Sequence, residues 1–295
     1  MPLGDWNDYE LIDFGEGRKL ERWGPYWLDR PSPAAELVRQ SQPRLWQKAH
    51  GRFQRTLGEQ GRWHWFEKGK ESWELSFGNV TVEVGPTPFG HMGLFPEQRD
   101  NWEWIAEQNE AHRKPLKILN LFAYTGASTL AAAQARNEVV HVDASKSSVA
   151  KARKNASLSQ LDHCKIRWII EDALKFCHRE LKRGNQYDAI ILDPPTYGHG
   201  PKGESWTIEQ HLDELLQCCR QLWTEDPAYF LLTSHSESMT KSTIRQLAAS
   251  VVPQAKSKHR QPKVEAGLMD LQTKDQRRLN SGRFARWTLE AGKHD

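Results

Sequence analysis

Cysteine is scarce in this chain: Cys164, Cys177, Cys218 and Cys219 are the only four in 295 residues. They show no C-x-x-C spacing, so neither a zinc site nor a disulfide framework is indicated. All four read as structural thiols. Long apolar runs are missing as well. No stretch approaches the roughly 18 consecutive apolar residues of a membrane helix. The opening MPLGDWNDYE lacks the basic-then-apolar layout of a secretory signal. The expectation is a soluble, cytoplasmic chain with no membrane attachment and no metal, of unknown oligomeric state. An excess of one charge is also lacking: 41 Lys and Arg stand against 38 Asp and Glu, a net +3, too little to announce a nucleic-acid partner. Only the distribution is suggestive. From Lys241 onward Lys256, Lys258, Arg260, Lys263, Lys274, Arg277, Arg278, Arg283 and Arg286 face few acids and form one basic end, with a plain solvated surface as the alternative.

At roughly 100–200 residues per domain the length argues for about two domains. Up to Val84 the chain alternates short aromatic and β-branched runs (YELIDF, KLERWG, YWLDR, WHWF, WELSF, VTVEV) with glycine and proline punctuation. That pattern predicts a small β-rich domain over residues 1–89, with one helical candidate at Glu36 to Gln47. Its tryptophans Trp6, Trp23, Trp27, Trp46, Trp63, Trp65 and Trp73 read as core packing ahead of base stacking. The run GPTPFGHMGLFP closes this domain. Over residues 90–295 the rhythm becomes apolar runs alternating with helical segments. LKILNLF, EVVHVDAS, CKIRWIIED, YDAIILD and AYFLLTS read as parallel strands of an α/β sheet; VEAGLMDLQ and FARWTLE follow as an antiparallel edge hairpin.

Ligands of open parallel sheets bind at the carboxyl ends of the strands. Strand one ends in Asn120-Leu121-Phe122-Ala123-Tyr124-Thr125-Gly126, where the G-x-G-x-x-G turn of a dinucleotide site is absent. A single glycine permits close approach of a nucleoside without a diphosphate. Asp143 lies 17 residues after Gly126 and suits two ribose hydroxyls, with helix capping as the alternative. Asp172, beside Glu171, is placed for an adenine amine, again with capping as the alternative. In Asp193-Pro194-Pro195-Thr196-Tyr197-Gly198 two prolines remove two amide donors and force extended geometry on the residues before them. The segment offers acceptors to a planar N–H-bearing substrate, with Tyr197 to stack on its face; a rigid proline turn is the bland reading. The glycine-rich run Gly198 to Glu204 is a candidate closing loop or a mere connector.

NLFAYTGAS, VDASKSSV, ED and LDPPTYG, in this order, resemble the motifs of class I S-adenosylmethionine-dependent methyltransferases. FPEQRDNW and DPPTYGHGPKGESW are further similar to the bacterial family holding the large-subunit rRNA cytosine-C5 and guanine-N7 enzymes. The resemblance runs from about Gly90 to the C-terminus. It implies a Rossmann-like fold of seven strands, S-adenosyl-L-methionine as cofactor with S-adenosyl-L-homocysteine as product, and RNA, rRNA first, as partner. It further implies Gln98 and Asp100 near the methionine end and a lining of Phe122, Tyr124, Thr125, Gly126, Ala144, Ser145 and Ala173. Asp143 takes the ribose, Asp172 the adenine, and Asp193 the amino group and the target, with Pro194, Pro195 and Tyr197 as the catalytic surround. Two departures stand out. The cytosine-C5 members carry a thiolate after strand five, where this chain reads Thr233-Ser234-His235-Ser236, so transfer without a cysteine adduct is expected. No counterpart of their front RNA-binding module is evident. A methyltransferase of a small molecule or protein side chain, and a non-catalytic RNA-binding assembly factor, are the alternatives.

Overall fold

The computed structural model describes residues 6–56, 60–112, 114–134, 136–201, 203–253 and 260–291. Lys256 and Lys258 of the basic end and Lys202 of the glycine-rich run lie outside them. The chain forms two compact units, Pro2–Arg99 with Asp270–Ser281, and Asp100–Met269 with Gly282–Asp295. Where the composition shift suggested a division at residue 89, the units part ten residues later, and the tip of the terminal hairpin belongs to the first of them.

In the first unit β1 (Tyr9–Gly15), β2 (Arg18–Trp23), β3 (Tyr26–Pro31), β4 (Gly51–Arg55) and β5 (Gly61–Trp65) form one sheet in sequence order, with β3 and β4 parallel; β6 (Trp73–Phe77) and β7 (Val80–Val84) form a separate hairpin. Trp6, Trp23 and Trp73 are buried, and the Trp23 ring meets Tyr9 edge-on at 5.0 Å. Trp27 and Trp46 pack on a small cluster of Ile12, Leu20 and Ala49. These rings are core. The expected helix at Glu36 to Gln47 is replaced by two 3-10 turns, Pro33–Ala35 and Pro43–Lys48. The reason is a competing acceptor. Asp13 takes hydrogen bonds from the Ser41 and Gln42 amides, donors a helix would have used itself, and from the Trp46 indole.

The second unit opens with α1 (Arg99–Ala111), a helix not foreseen, whose Trp102, Trp104 and Ile105 are buried. Alternation then follows: β8 (Lys117–Leu121), α2 (Ala127–Ala133), β9 (Glu138–Asp143), α3 (Lys146–Leu158), β10 (Ile166–Ile170), α4 (Ala173–Lys182) and β11 (Ala189–Leu192). A flap of β12 (Tyr197–His199) and β13 (Ser205–Thr207) precedes α5 (Ile208–Gln221), β14 (Tyr229–Ser234), α6 (Lys241–Ser250), β15 (Arg260–Gln272) and β16 (Arg278–Ala291). The seven strands lie in the order β10-β9-β8-β11-β14-β16-β15, the first five parallel and β16 antiparallel to β14. Central strands such as β11, buried at every residue, read as unbroken apolar runs because helices cover both faces. From β8 the chain winds outward to β10 and then returns to β11. The crevice between β8 and β11 is therefore the topological switch point, where ligands of such sheets bind.

Candidate functional site

The carboxyl end of β8 leads into a strained loop. Phe122, Tyr124 and Gly126 all adopt positive φ, at 55°, 49° and 92°. For the two aromatic residues that region is costly, and such strain persists only where surrounding bonds impose it. Asp143 at the end of β9 is the clamp: one carboxylate oxygen accepts the Tyr124 amide and the other the Ser145 amide, each at 2.8 Å. The Asn155 amide from α3 holds the Thr125 carbonyl at 2.9 Å. Gly126 needs its missing side chain, since a Cβ there would stand 3.0 Å from that of Ala152 in addition to the strained φ. Beneath the loop runs a buried polar line, Asn120 to the Thr129 hydroxyl at 2.9 Å and Thr129 to His141 at 2.8 Å. Burial first, and Arg153 after it, depress the His141 imidazole to about 3. Burial likewise raises the Asp143 carboxyl above its ordinary value against the pull of its two amide bonds, and pushes the Tyr124 phenol up to about 12.

The capping alternatives prove real alongside any ligand role. Ser145 caps α3 through Ser148, and Asp172 caps α4 by accepting the Lys175 amide at 2.9 Å. Glu171 is committed to Arg179 at 2.5 Å. Asp143, Ala144, Ser145, Asp172 and Ala173 thus stand at two neighbouring strand ends, and each carboxylate oxygen that accepts one bond has a second lone pair to give.

At the end of β11, Asp193 Oδ1 accepts the Thr233 hydroxyl at 2.5 Å and lies 3.9 Å from His235 Nε2. The Pro195 carbonyl accepts the Trp206 indole at 2.8 Å, so of the two proline carbonyls this one is already spoken for. Trp206 is buried on the flap, with its ring 4.7 Å from that of Phe122. It joins the loops after β8 and β11. Tyr197 on the same flap is 53% exposed, and its hydroxyl pairs with His199 at 2.9 Å. Glu204 ties the flap to Lys175 of α4. Asp100 is exposed in the first turn of α1, and Gln98 is buried in the turn Pro96–Gln98 that closes the first unit. Trp206, Thr233 and Asn155 were not singled out from sequence. Only Trp206 carried a signal there, as a lone aromatic in a polar, glycine-rich run.

None of the thiols belongs to this cluster. Cys177, Cys218 and Cys219 sit in the apolar core between sheet and helices. Its bond with Cys219, then burial, holds the Cys177 thiol well above its ordinary value; burial pushes Cys218 up to about 11 and raises Cys164.

The set fits the group its motifs imply: acceptors at the ends of β9 and β10 match ribose hydroxyls and an adenine amine, beside a glycine turn with no diphosphate cradle. The family model of S-adenosylmethionine-dependent methyltransferases matches residues 46–231. A solved S-adenosylmethionine-dependent methyltransferase from Agrobacterium tumefaciens is 38% identical, with a TM-score of 0.90 over 96% of this chain and 91% of that one. The ribosomal RNA large subunit methyltransferase I of Aeromonas salmonicida is 36% identical over 110 residues, which make up 37% of this chain and 27% of that protein. The chain thus matches about a quarter of the length of that relative. The Pyrococcus abyssi tRNA (uracil-54, C5)-methyltransferase, at 12% identity and a TM-score of 0.52 over 92% of this chain and 60% of that one, shares the fold. No described helix is long and apolar enough to cross a membrane. With the strand order, the loop at Gly126 and the family match in agreement, this chain belongs to the S-adenosylmethionine-dependent methyltransferase family and is an enzyme of that class.

Proposed function

We propose that the enzyme methylates a base of RNA, ribosomal RNA foremost, in the cytoplasm, by direct transfer without a cysteine adduct. The observation that carries the reading is the Asp193-Pro194-Pro195 turn at the switch point, with a carboxylate and the Pro194 carbonyl where a planar N–H-bearing group can dock and no thiol beside it. The names of the curated relatives supply the RNA. When bound, S-adenosylmethionine supplies a methyl group on a positively charged sulfur. Asp143 takes the ribose hydroxyls and Asp172 the adenine amine, while Phe122, Tyr124, Thr125, Gly126, Ala144, Ser145 and Ala173 line the nucleoside. Asp193 and Pro194 orient the acceptor, and Tyr197 is carried by the flap to the face of the base. Positioning accounts for much of the acceleration in such a displacement.

The test is transfer of a tritiated methyl group into total RNA, protein extract and small metabolites offered separately. Label in RNA, with no complex trapped on 5-fluorocytosine RNA, is the expected result. Label confined to protein or metabolites moves the substrate to those classes. RNA binding without any transfer would leave an assembly factor.

A further inference from the structure

We infer that His235 is the base that removes a proton from the methyl acceptor, so that the acceptor is an N–H or O–H group and not a bare ring nitrogen or a ring carbon. The inference rests on the methyltransferase site proposed above, but not on the acceptor being RNA.

β14 delivers three consecutive residues to the crevice. Thr233 and Ser234 are buried, and the His235 side chain is about a third exposed, as is that of Asp193. Thr233 fixes Asp193 Oδ1 at 2.5 Å, and His235 Nε2 stands 3.9 Å from that same oxygen. The carboxylate is therefore locked in place while the imidazole is within ion-pairing range of it, the looser spacing common before substrate binds. The other side of the ring is set by β16. A Cβ at Gly282 would lie 3.2 Å from His235 Nδ1, 3.0 Å from the Ser234 carbonyl and 2.4 Å from the Met269 methyl. Only glycine leaves that room. The ring is thus seated with Nδ1 toward the strand and Nε2 toward Asp193.

The chemistry explains why such a pair would stand at a methyl-transfer site. A pyridine-like ring nitrogen attacks through a lone pair and sheds no proton, so it needs no base. An exocyclic amine or a hydroxyl does. In that step the acceptor's lone pair forms the bond to the methyl carbon as the carbon–sulfur bond breaks, its electrons going to sulfur. The acceptor's N–H or O–H proton passes to Nε2, and the resulting imidazolium is stabilised by Asp193. Charge is conserved, and no oxidant or further reactant is required.

The experiment uses the full chain with His235→Ala and His235→Gln, tritiated methyl transfer into whichever of the RNA, protein or metabolite pools the wild type labels, and calorimetry with S-adenosylmethionine. Expected is a loss of about 100-fold or more in turnover for both variants, the low end of what a positioned acid–base group contributes, with cofactor affinity unchanged. Added imidazole should rescue His235→Ala and fail to rescue His235→Gln, whose side chain fills the space. Mass spectrometry should place the methyl group on an atom that carried hydrogen. Near-normal turnover, loss without rescue, or a methyl on a bare ring nitrogen would each overturn the inference. A second measurement is independent of turnover. Nitrogen-detected titration of His235 should move down by about half a pH unit or more in Asp193→Asn, because the carboxylate favours the protonated ring. Further charged groups close by in the strand register and the chain are Arg283 on β16, which pairs with Ser234, and Glu237, two residues beyond His235. No shift on removing Asp193 overturns the pairing. Label appearing outside RNA overturns the RNA reading alone and leaves the His235 results to be judged on that pool.

Discussion

The two compact units hold themselves together by different means. In the first, the interior is built around charge. Glu21, fully buried, accepts from Arg30 at 2.7 Å and Tyr9 at 2.8 Å; buried Asp29 is gripped by Arg18 and Arg52, both at 2.5 Å; buried Asp13 meets Arg277 at 2.6 Å. The second unit rests on a broad apolar cluster spanning β8, β9, β11, β14 and helices α4 to α6, with a comparable carboxylate, Glu180, held closely by the neutral hydroxyl of Tyr187 and the amide of Asn185 and only at 3.6 Å by the half-exposed Arg183. A small sheet cannot bury enough apolar surface on its own, and directional ion pairs specify its loops instead. Arginine therefore means different things in the two halves. By sequence Arg277 belongs to the basic end, where a surface charge is expected. Instead its guanidinium lies 4.2 Å over the Phe14 ring and donates to Asp13 and to the Phe14 and Arg39 carbonyls, which makes it an internal strut.

The comparison can be broken most severely at Glu21. Glu21→Ala leaves the buried Arg30 without its carboxylate partner and should destabilise the first unit by about 3–5 kcal/mol, read as the earlier of two transitions in thermal melting. The same change should leave cofactor affinity of the second unit intact.

Arg277→Ala comes next. Its side chain is 23% exposed, so the cost should fall below that of a fully buried pair, at about 2–3 kcal/mol. The neighbouring Arg278 is exposed. Arg278→Ala should spare stability and, if this stretch meets RNA, lower the slope of log affinity against log salt by about 1.

Acid separates the units by another route. His141 is held down to about 3 in the folded state against an ordinary 6.5. The unfolded chain therefore binds the extra proton first, and the second unit should lose about 1.4 kcal/mol per pH unit below 6.5. Asp13 and Glu21 are lowered: burial pushes both up, but the bonds of Trp46, Gln42, Ser41 and Arg277 prevail at Asp13, and the charges of Arg30 and Lys19 at Glu21. Their stabilisation is whole above the ordinary values of 3.8 and 4.5 and is lost as pH falls through the lower folded ones. The second unit should thus soften first on acidification, in unit-resolved hydrogen exchange, and His141→Gln should flatten that slope. Asp143, raised, acts in the opposite sense within the carboxylate range, so the histidine slope is cleanest above it.

The smallest stability loss among these changes belongs to the flap, Arg278→Ala being neutral. Trp206→Phe keeps a ring against Phe122 but frees the Pro195 carbonyl, at a cost of about 1 kcal/mol. Turnover should fall further than stability suggests, since the loops after β8 and β11 lose their link. Equal losses in both would reduce Trp206 to ordinary packing.

Much of this was legible in the amino-acid order because it is local. Unbroken apolar runs such as AIIL announce a strand covered on both faces, ASTLAAA after Gly126 announces a helix that packs closely, and the strand-end acids fall at fixed distances from that glycine. α1 escaped because its buried Trp102, Trp104 and Ile105 are diluted by charged and amide residues that blur the apolar stripe. The positive φ of Phe122 and Tyr124 has no sequence sign, since neither residue favours that region.

By itself, then, the order of residues determined the α/β class, the seven strands, the absence of a thiolate at the end of strand five and the identity of the acidic strand ends. Tertiary structure alone decided what those residues face. Asp13 and Arg277 are 264 positions apart, and no local pattern pairs them. The same holds for Trp206 on Pro195 and for Thr233 and His235 on Asp193, side chains of different elements that meet only when the sheet aligns its strand ends. Secondary structure follows from the spacing of neighbours along the chain, whereas a site is a set of distances across it.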